Sequence, residues 1–470
     1  MVFSSLVFIF LFLPVVLIFY YLLDDRLKNL VLLIASLFFY AWGEPEYVFL
    51  MIASIILNYI FGLKVASNNR RKKFWLISSV IFNILLLIVF KYSNFFVDSM
   101  NSLFDTNLNI PEIALPLGIS FFTFQTMSYV IDVYRNEARV QANVFDLALY
   151  VSLFPQLVAG PIVRYQTVDD QINNRSHTIN KFADGIERFI VGLGKKVIFS
   201  NQLGMIADNI FSAQISELST LEAWLGIICY TLQIYFDFSG YSDMAIGLGK
   251  MFGFDFLENF NYPYISQSVS EFWRRWHISL GSWFRDYVYI PLGGNRVSPV
   301  KQYRNLFVVW SLTGIWHGAN WTFMAWGLYY GVLIAFEKAF LDKLLKKLPK
   351  IFRHIYLILL VMIGWVFFRA ESIGQAFEFI KVLSGASLNP TCNISFINYI
   401  NESGYIVILA IIFATPILPR IKSLIKLKNK PLVESNFAYI FKSISLMSLM
   451  FVIVVILINS TYNPFLYFRF

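Results

Sequence analysis

Four apolar segments near the start of the chain constrain it most. Residues 5–23, 27–42, 46–66 and 75–95 are nearly unbroken stretches of Leu, Ile, Val, Phe and other apolar side chains. Each is long enough, or nearly so, to cross a hydrocarbon slab. Hydrophobic residues make up 57% of the 470-residue chain and charged residues 14%. No soluble protein of this size hides that much apolar surface in its own core, so much of the solvent must be lipid. The opening "MVFSSLVFIFLFLPVVLIFYYLL" has no basic n-region and no small-residue cleavage site after it, so it is expected to stay in the membrane rather than be removed. The chain reads as an all-α polytopic membrane protein with a single domain, 1–470.

The net charge of +9 is informative by position, and it is not a nucleic-acid signal. Lys and Arg are retained on the cytoplasmic side and orient the helices. "SNNRRKKF" (67–74) is the first strong basic cluster and is placed inside. "DDRLK" (24–28) then also falls inside, and "VDSMNSLFDTNLNIPE" (97–112), with no Lys or Arg, falls outside. "LDKLLKKLPKIFRH" (341–354) and "RIKSLIKLKNK" (420–430) read as cytoplasmic, so both termini are expected outside. Cys229 and Cys392 are far apart and suggest neither a disulfide framework nor a metal-ligand pair.

Between residues 114 and 340, Pro, Gly and charge interrupt the hydrophobic runs. Examples are 115–135, "LFPQLVAGPIVRY" (153–165), "QIYFDFSGYSDMAIGLGKMFGF" (233–254) and "SEFWRRWHISLGSWFRDYVYIPLGGNR" (270–296). Broken backbone at membrane depth is tolerated only where protein buries it or a wet cavity lines it. The expectation is a catalytic core over 114–340 with re-entrant segments around a polar tunnel, ringed by helices, about 10–12 spans in all. A transporter would carry the same feature.

Ionisable groups inside such segments are costly and face a partner or a cavity. Asp237 and Asp243 flank "FSGYS"; they read as a structural pair or as groups with a direct role. "GLGKMFG" is neither a dinucleotide fingerprint nor a P-loop. Of the four histidines, His177 and His354 sit in polar or basic contexts where surface roles suffice. His277 lies in "FWRRWHISL", either anchoring a re-entrant helix or acting on substrate. His317 lies in a stretch with no Lys, Arg, Asp or Glu from Asn305 to Phe336. A histidine in so apolar a run is expected to be neutral and able to take a proton. No Ser elbow, H-E-x-x-H or Cys/His pair accompanies it. A lone base suits activation of a hydroxyl that attacks an acyl thioester. Asn320 is read as one helical turn away, able to share the face and orient substrate or ring.

These motifs, in this order, resemble the membrane-bound O-acyltransferase superfamily and its alginate O-acetyltransferase-like branch. The resemblance runs along nearly the whole chain, through "FFYAWGEP", "KYSNFF", "LPLGISFFTFQTMSYVIDVYR", "FPQLVAGPIVRY" and "YFDFSGYSDMAIGLG". It is most specific at "NYPYISQSVSEFWRRWHISLGSWFRDYVYIPLGGNR" and "GIWHGANWTFMAWG". It implies that His317 is the catalytic base and that His277 is the second histidine, on the cytoplasmic side of a tunnel. Trp273, Arg274, Arg275 and Trp276 would surround it. The implied donor is an acyl thioester, on acetyl-coenzyme A or an acyl carrier protein, and the basic rim suits the phosphate of either.

The chain finishes "TYNPFLYFRF" (461–470), where Phe465, Tyr467, Phe468 and Phe470 make four of the last six residues aromatic. In related systems such a tail carries a tyrosine proposed as an acyl relay, and the matching position is Tyr467. A phenol near pKa 10 leaves worse than a thiol at about 8.5 but better than a sugar hydroxyl. The other reading is an interfacial aromatic anchor. The implied partner is an extracytoplasmic SGNH-type acyltransferase or similar acceptor protein. The rivals are D-alanyl transfer to teichoic acids and a non-catalytic transporter of acyl donor or sugar.

Overall fold

The computed structural model describes residues 1–67, 70–157, 160–428, 436–460 and 462–466, and helices are the only regular elements among them. Tyr467, Phe468 and Phe470 lie outside the described residues. The helices, in chain order, begin with α1 Phe8–Leu22, α2 Lys28–Ala41, α3 Tyr47–Ala66 and α4 Lys72–Phe104. Next come α5 Ile119–Arg135, α6 Val144–Ser152, α7 Tyr165–Asn173 and α8 Ile179–Gly194. A wider π-helical turn, Lys195–Ser200, leads on into α9 Asn201–Ser212. Then follow α10 Thr220–Met251, α11 Val269–Arg275, α12 Ile278–Phe284, α13 Pro299–His317 and α14 Trp321–Phe336. The chain continues through α15 Lys350–Arg369, α16 Ile373–Leu383, α17 Ile394–Phe413, α18 Ile417–Lys428 and α19 Asn436–Asn459.

Five helical segments among the described residues are long and apolar enough to cross a membrane: α3, α4, α15, α17 and Ala438–Asn459 of α19. Helix α1 is a shorter apolar one. Their outward faces carry large apolar side chains such as Phe49, Ile408, Met447 and Phe451, all exposed, as expected where lipid is the solvent. Polar side chains keep other helices off that short list. Helix α10, at 32 residues about 48 Å long, carries Gln233, Asp237, Ser239 and Ser242 buried within it.

Contacts divide the chain into two compact units. One comprises Met1–Phe189 with Ser242–Glu258; the other comprises Ile190–Tyr241 and the chain from Asn259. In the first, α3, α4 and α5 are joined by a buried polar knot. Asn83 donates to Asn58 Oδ1 at 2.8 Å, Ser79 to the same oxygen at 3.0 Å, and Thr126 to Asn83 Oδ1 at 3.1 Å. Such side-chain bonds hold helices together where lipid offers no hydrophobic drive. In the second unit α13 and α14 form a hairpin closed by small residues. A Cβ on Gly314 would sit 2.5 Å from the Phe323 carbonyl, and one on Gly327 would collide with that of Trp310. This close approach sets His317 at the end of α13.

Of the expected breaks in the backbone, one is absent and one is present. The stretch 233–254 is not interrupted, since α10 runs unbroken to Met251. Its glycines serve close packing instead: a Cβ at Gly240 would lie 2.8 Å from the Gly192 carbonyl. The stretch 270–296 is broken as expected, into α11 and α12 with a kink between them.

Candidate functional site

The kink is built from its neighbours. Ser268 caps α11 by accepting from Glu271 N at 3.1 Å, while the Glu271 carboxylate accepts from Gln267 N at 2.9 Å, a reciprocal capping arrangement. The buried Glu337 adds a second anion at the same helix start. It accepts from Val269 N at 2.7 Å, Ser270 N at 3.1 Å and the Ser270 hydroxyl at 3.1 Å, where the helix dipole favours negative charge. At the other end the chain turns at His277, whose φ of +47° lies in the left-handed region. A non-glycine residue there is strained and persists only where its surroundings hold it. Asn259 does so: its carbonyl accepts from Ile278 N at 2.9 Å, and its side chain accepts from Ser279 N at 3.0 Å and the Ser279 hydroxyl at 2.9 Å.

The kink turns the His277 imidazole into the interior, where 2% of it is exposed. His317, 4% exposed, ends α13 on the other side of a shared indole. Trp316 meets His277 at a centroid distance of 6.2 Å and His317 at 5.0 Å, edge-on in both cases. Trp326 and Phe368 close on His317 at 4.9 and 5.3 Å. The two histidines that the sequence singled out are therefore brought together, in a chamber walled by aromatic rings.

A cavity of about 350 Å³ opens beside His277, lined by Trp273, Arg274, Trp276, His277, Arg285 and Trp310 among others. Arg274 and Arg285 are exposed at its edge, and the Trp273 indole N–H is buried with no hydrogen-bond acceptor among the described residues. Such a volume lies in the range of small-molecule sites. His317 does not line this cavity. Arg275 is turned aside, bonded to Glu271 at 3.1 Å and to the Asn261 carbonyl at 3.2 Å.

Other sequence candidates sit elsewhere. Asn320 does not share a helix face with His317. Helix α13 ends at His317, Gly318 is extended, and Asn320 caps α14 by accepting from Thr322 N at 3.0 Å, while its amide donates to the Glu371 carbonyl. Asp237 and Asp243 do not pair with each other. Asp237 meets Lys196 at 2.5 Å, both fully buried, whereas Asp243 belongs to the first unit and meets Arg188 at 2.6 Å. His177 is more than a surface group, since Tyr20 Oη lies 2.8 Å from its Nε2. His354 is helical, within α15, with Nδ1 3.2 Å from the Ser266 carbonyl.

Sequence reasoning missed a second cluster, around the described part of the C-terminal segment. Phe465 and Leu466 are buried. Leu466 N donates to Asp237 Oδ2 at 3.0 Å, Lys196 donates to the Pro464 carbonyl, and the Tyr462 hydroxyl donates to Asp208 Oδ2 at 2.6 Å. Arg369 holds the other oxygen of Asp208 at 2.8 Å. The available signal was charge in apolar context, Lys196 in "VGLGKKVIFS" and Arg369 in "GWVFFRAE". The two clusters adjoin along the chain: Trp276, next to His277, packs on Phe238, next to Asp237, at 6.2 Å.

A family model, "MBOAT, membrane-bound O-acyltransferase family", matches residues 79–346. The probable alginate O-acetylase AlgI of Pseudomonas aeruginosa is 48% identical over 390 residues, 82% of this chain and 75% of that protein. The peptidoglycan O-acetyltransferase of Helicobacter pylori is 35% identical and covers 100% of this chain and 98% of its own length. The teichoic acid D-alanyltransferase of Bacillus subtilis is 31% identical over 47% of this chain and 60% of that protein. With a match over more than half its length and relatives this similar, the chain belongs to the membrane-bound O-acyltransferase family and is an O-acyltransferase.

Proposed function

We propose that this enzyme moves an acyl group, acetyl foremost, from a cytoplasmic thioester to hydroxyls of an extracellular polysaccharide or cell-wall polymer. The donor is acetyl-coenzyme A or an acyl carrier protein, and the setting is a bacterial cytoplasmic membrane with both termini outside. The observation that carries this is the buried pair His277 and His317, packed on one indole, beside a cavity edged by two exposed arginines. Arg274 suits a phosphate-bearing donor, with Arg285 beside it held by Asp286 at 2.6 Å, and the apolar cavity suits the donor's thioester arm. The relatives named for alginate and peptidoglycan acetylation match far more of the chain than the D-alanyltransferase does, which favours an acetyl group.

In this reading His317 takes the proton of the Tyr467 phenol, and the phenolate oxygen attacks the thioester carbonyl. The C–S bond breaks, His317 returns the proton to the departing thiolate, and the acyl group rests on Tyr467 as an aryl ester. A hydroxyl of an extracytoplasmic acceptor protein, of SGNH-type or similar, then attacks that ester and regenerates the phenol. Each transfer runs to a poorer leaving group, from thiol to phenol to alkyl hydroxyl. His277 orients the donor at the entrance.

The test is transfer in proteoliposomes. Labelled acetyl thioester is supplied on one side, acceptor protein and polymer on the other, with wild type and His317→Ala compared. Label reaching the polymer only with wild type supports the reading. Equal transfer by both proteins would refute the base, and label moving across intact as thioester would establish a transporter instead.

A further inference from the structure

We infer that the buried Lys196–Asp237 pair, with Asn201 and Asp208 beside it, is a clamp that seats the C-terminal segment and positions it for acyl transfer. The transfer part rests on the function proposed above; the clamp itself rests on geometry. Lys196 and Asp237 are 2% and 0% exposed and lie 2.5 Å apart. Removing two ions from water costs several kcal/mol each, and apolar residues of the same volume commonly serve stability as well or better. The charges therefore call for a use beyond their mutual attraction.

That use is visible in what else they bind. Lys196 gives a hydrogen bond to the Pro464 carbonyl, and Asp237 takes one from Leu466 N at 3.0 Å. Both are main-chain contacts to the same short segment, and an ammonium is a strong donor to a carbonyl oxygen. The segment is gripped at two further points. Asp208 receives the Tyr462 hydroxyl, and Asn201 Nδ2 donates to Asn463 Oδ1 at 3.3 Å. Asn201, Gly204 and Asp208 are spaced three and four apart and share one face of α9. Gly204 leaves that face open, since a Cβ there would meet the Gln233 amide and come within 3.3 Å of the Tyr462 hydroxyl. Phe465 lies on Tyr241 at 5.0 Å, with the Lys196 ammonium 6.0 Å from its ring. An aromatic tail that merely anchors at a lipid interface needs a ring and a boundary. Here the main chain is fixed by charge at Pro464 and Leu466, the residues that lead into Tyr467 in sequence. Lys196, Asn201, Asp208 and Asp237 are thus positioning residues.

The experiment is cysteine cross-linking in the full-length chain, with Tyr241→Cys and Phe465→Cys introduced over Cys229→Ala and Cys392→Ala. A short thiol cross-linker reports seating of the segment, and the same variants without the added cysteines report transfer. Asp237→Asn and Lys196→Met should cut cross-linking several-fold. They should lower kcat about 10- to 100-fold, the size expected when a hydrogen bond to a charged group is lost, with KM for the donor thioester unchanged. If either variant fails to fold, Tyr462→Phe with Asn201→Ala removes contacts made to the segment alone and should also cut cross-linking. Unchanged cross-linking in these variants overturns the clamp, whatever transfer does. Reduced cross-linking with transfer intact upholds the clamp and refutes the role of the segment in transfer.

Discussion

The histidine chamber and the seat of the C-terminal segment adjoin through Trp276 and Phe238, yet they are built by opposite means. Aromatic rings wall the chamber, with Trp316, Trp326 and Phe368 around His317. Charged groups line the seat, where Lys196 with Asp237 and Arg369 with Asp208 grip the chain. The difference follows from what each holds. In the proposed reaction His317 takes and returns a proton, and the rings packed on it are neutral. A peptide segment whose amides must be satisfied away from water is served by strong donors and acceptors.

The sharpest way to break that contrast is to remove the base. His317→Ala should lower transfer about 10²- to 10⁴-fold, the span attributed to general acid–base groups, with the protein still monodisperse in detergent. Normal transfer would mean that the chamber is only packing. Next in size is Lys196→Met, which strands Asp237 as a buried unpaired carboxylate at a cost of about 3–5 kcal/mol. Thermal unfolding should show that loss, and the double variant Lys196→Met with Asp237→Leu should recover most of it without recovering transfer.

Glu337→Gln sharpens the contrast from the other side, since this anion fixes the start of α11 rather than touching the chamber. It should cost about 1–3 kcal/mol, and it should raise KM for the donor more than it lowers kcat. His277→Gly should relieve the left-handed backbone by about 1 kcal/mol, so the melting temperature should hold or rise while transfer falls. A drop in both would mean that the side chain, not the strain, governs that turn.

The smallest effect belongs to His177, outside both clusters. Burial first, then the charges of Lys28 and Arg175, hold its imidazole below the ordinary value. The unfolded chain takes up this proton near pH 6.5 and the folded chain resists it, so protonation favours unfolding. Stability should decline slightly as pH falls through that value, and His177→Gln should flatten the decline.

Much of this was legible in sequence wherever composition or a broken pattern carries the information. Four apolar runs identified the membrane, and "FWRRWH" with "IWHGANW" identified the two histidines that the fold brings to Trp316. Spacing misled where local chain geometry decides. Asn320 is three residues from His317, but Gly318 ends the helix between them and the amide becomes a cap. Asp237 and Asp243 share one helix, yet their partners come from Lys196 and Arg188, which no local pattern announces. The glycines of α10 suggested a break and instead serve tight packing, because a bare Cα permits either. Lys196, Asp208 and Arg369 went unread for a related reason: a buried charge is meaningful only once its partner is known, and here each partner comes from a different helix.

The most direct measurement is the mass of the C-terminal peptide bearing Tyr467, from membranes given acetyl thioester and quenched during turnover. Wild type should carry an ester-labile adduct with the mass of the transferred group. His317→Ala should carry none, and Asp237→Asn should carry much less. No adduct in wild type while transfer still requires His317 would contradict the relay and leave a direct handoff from thioester to acceptor.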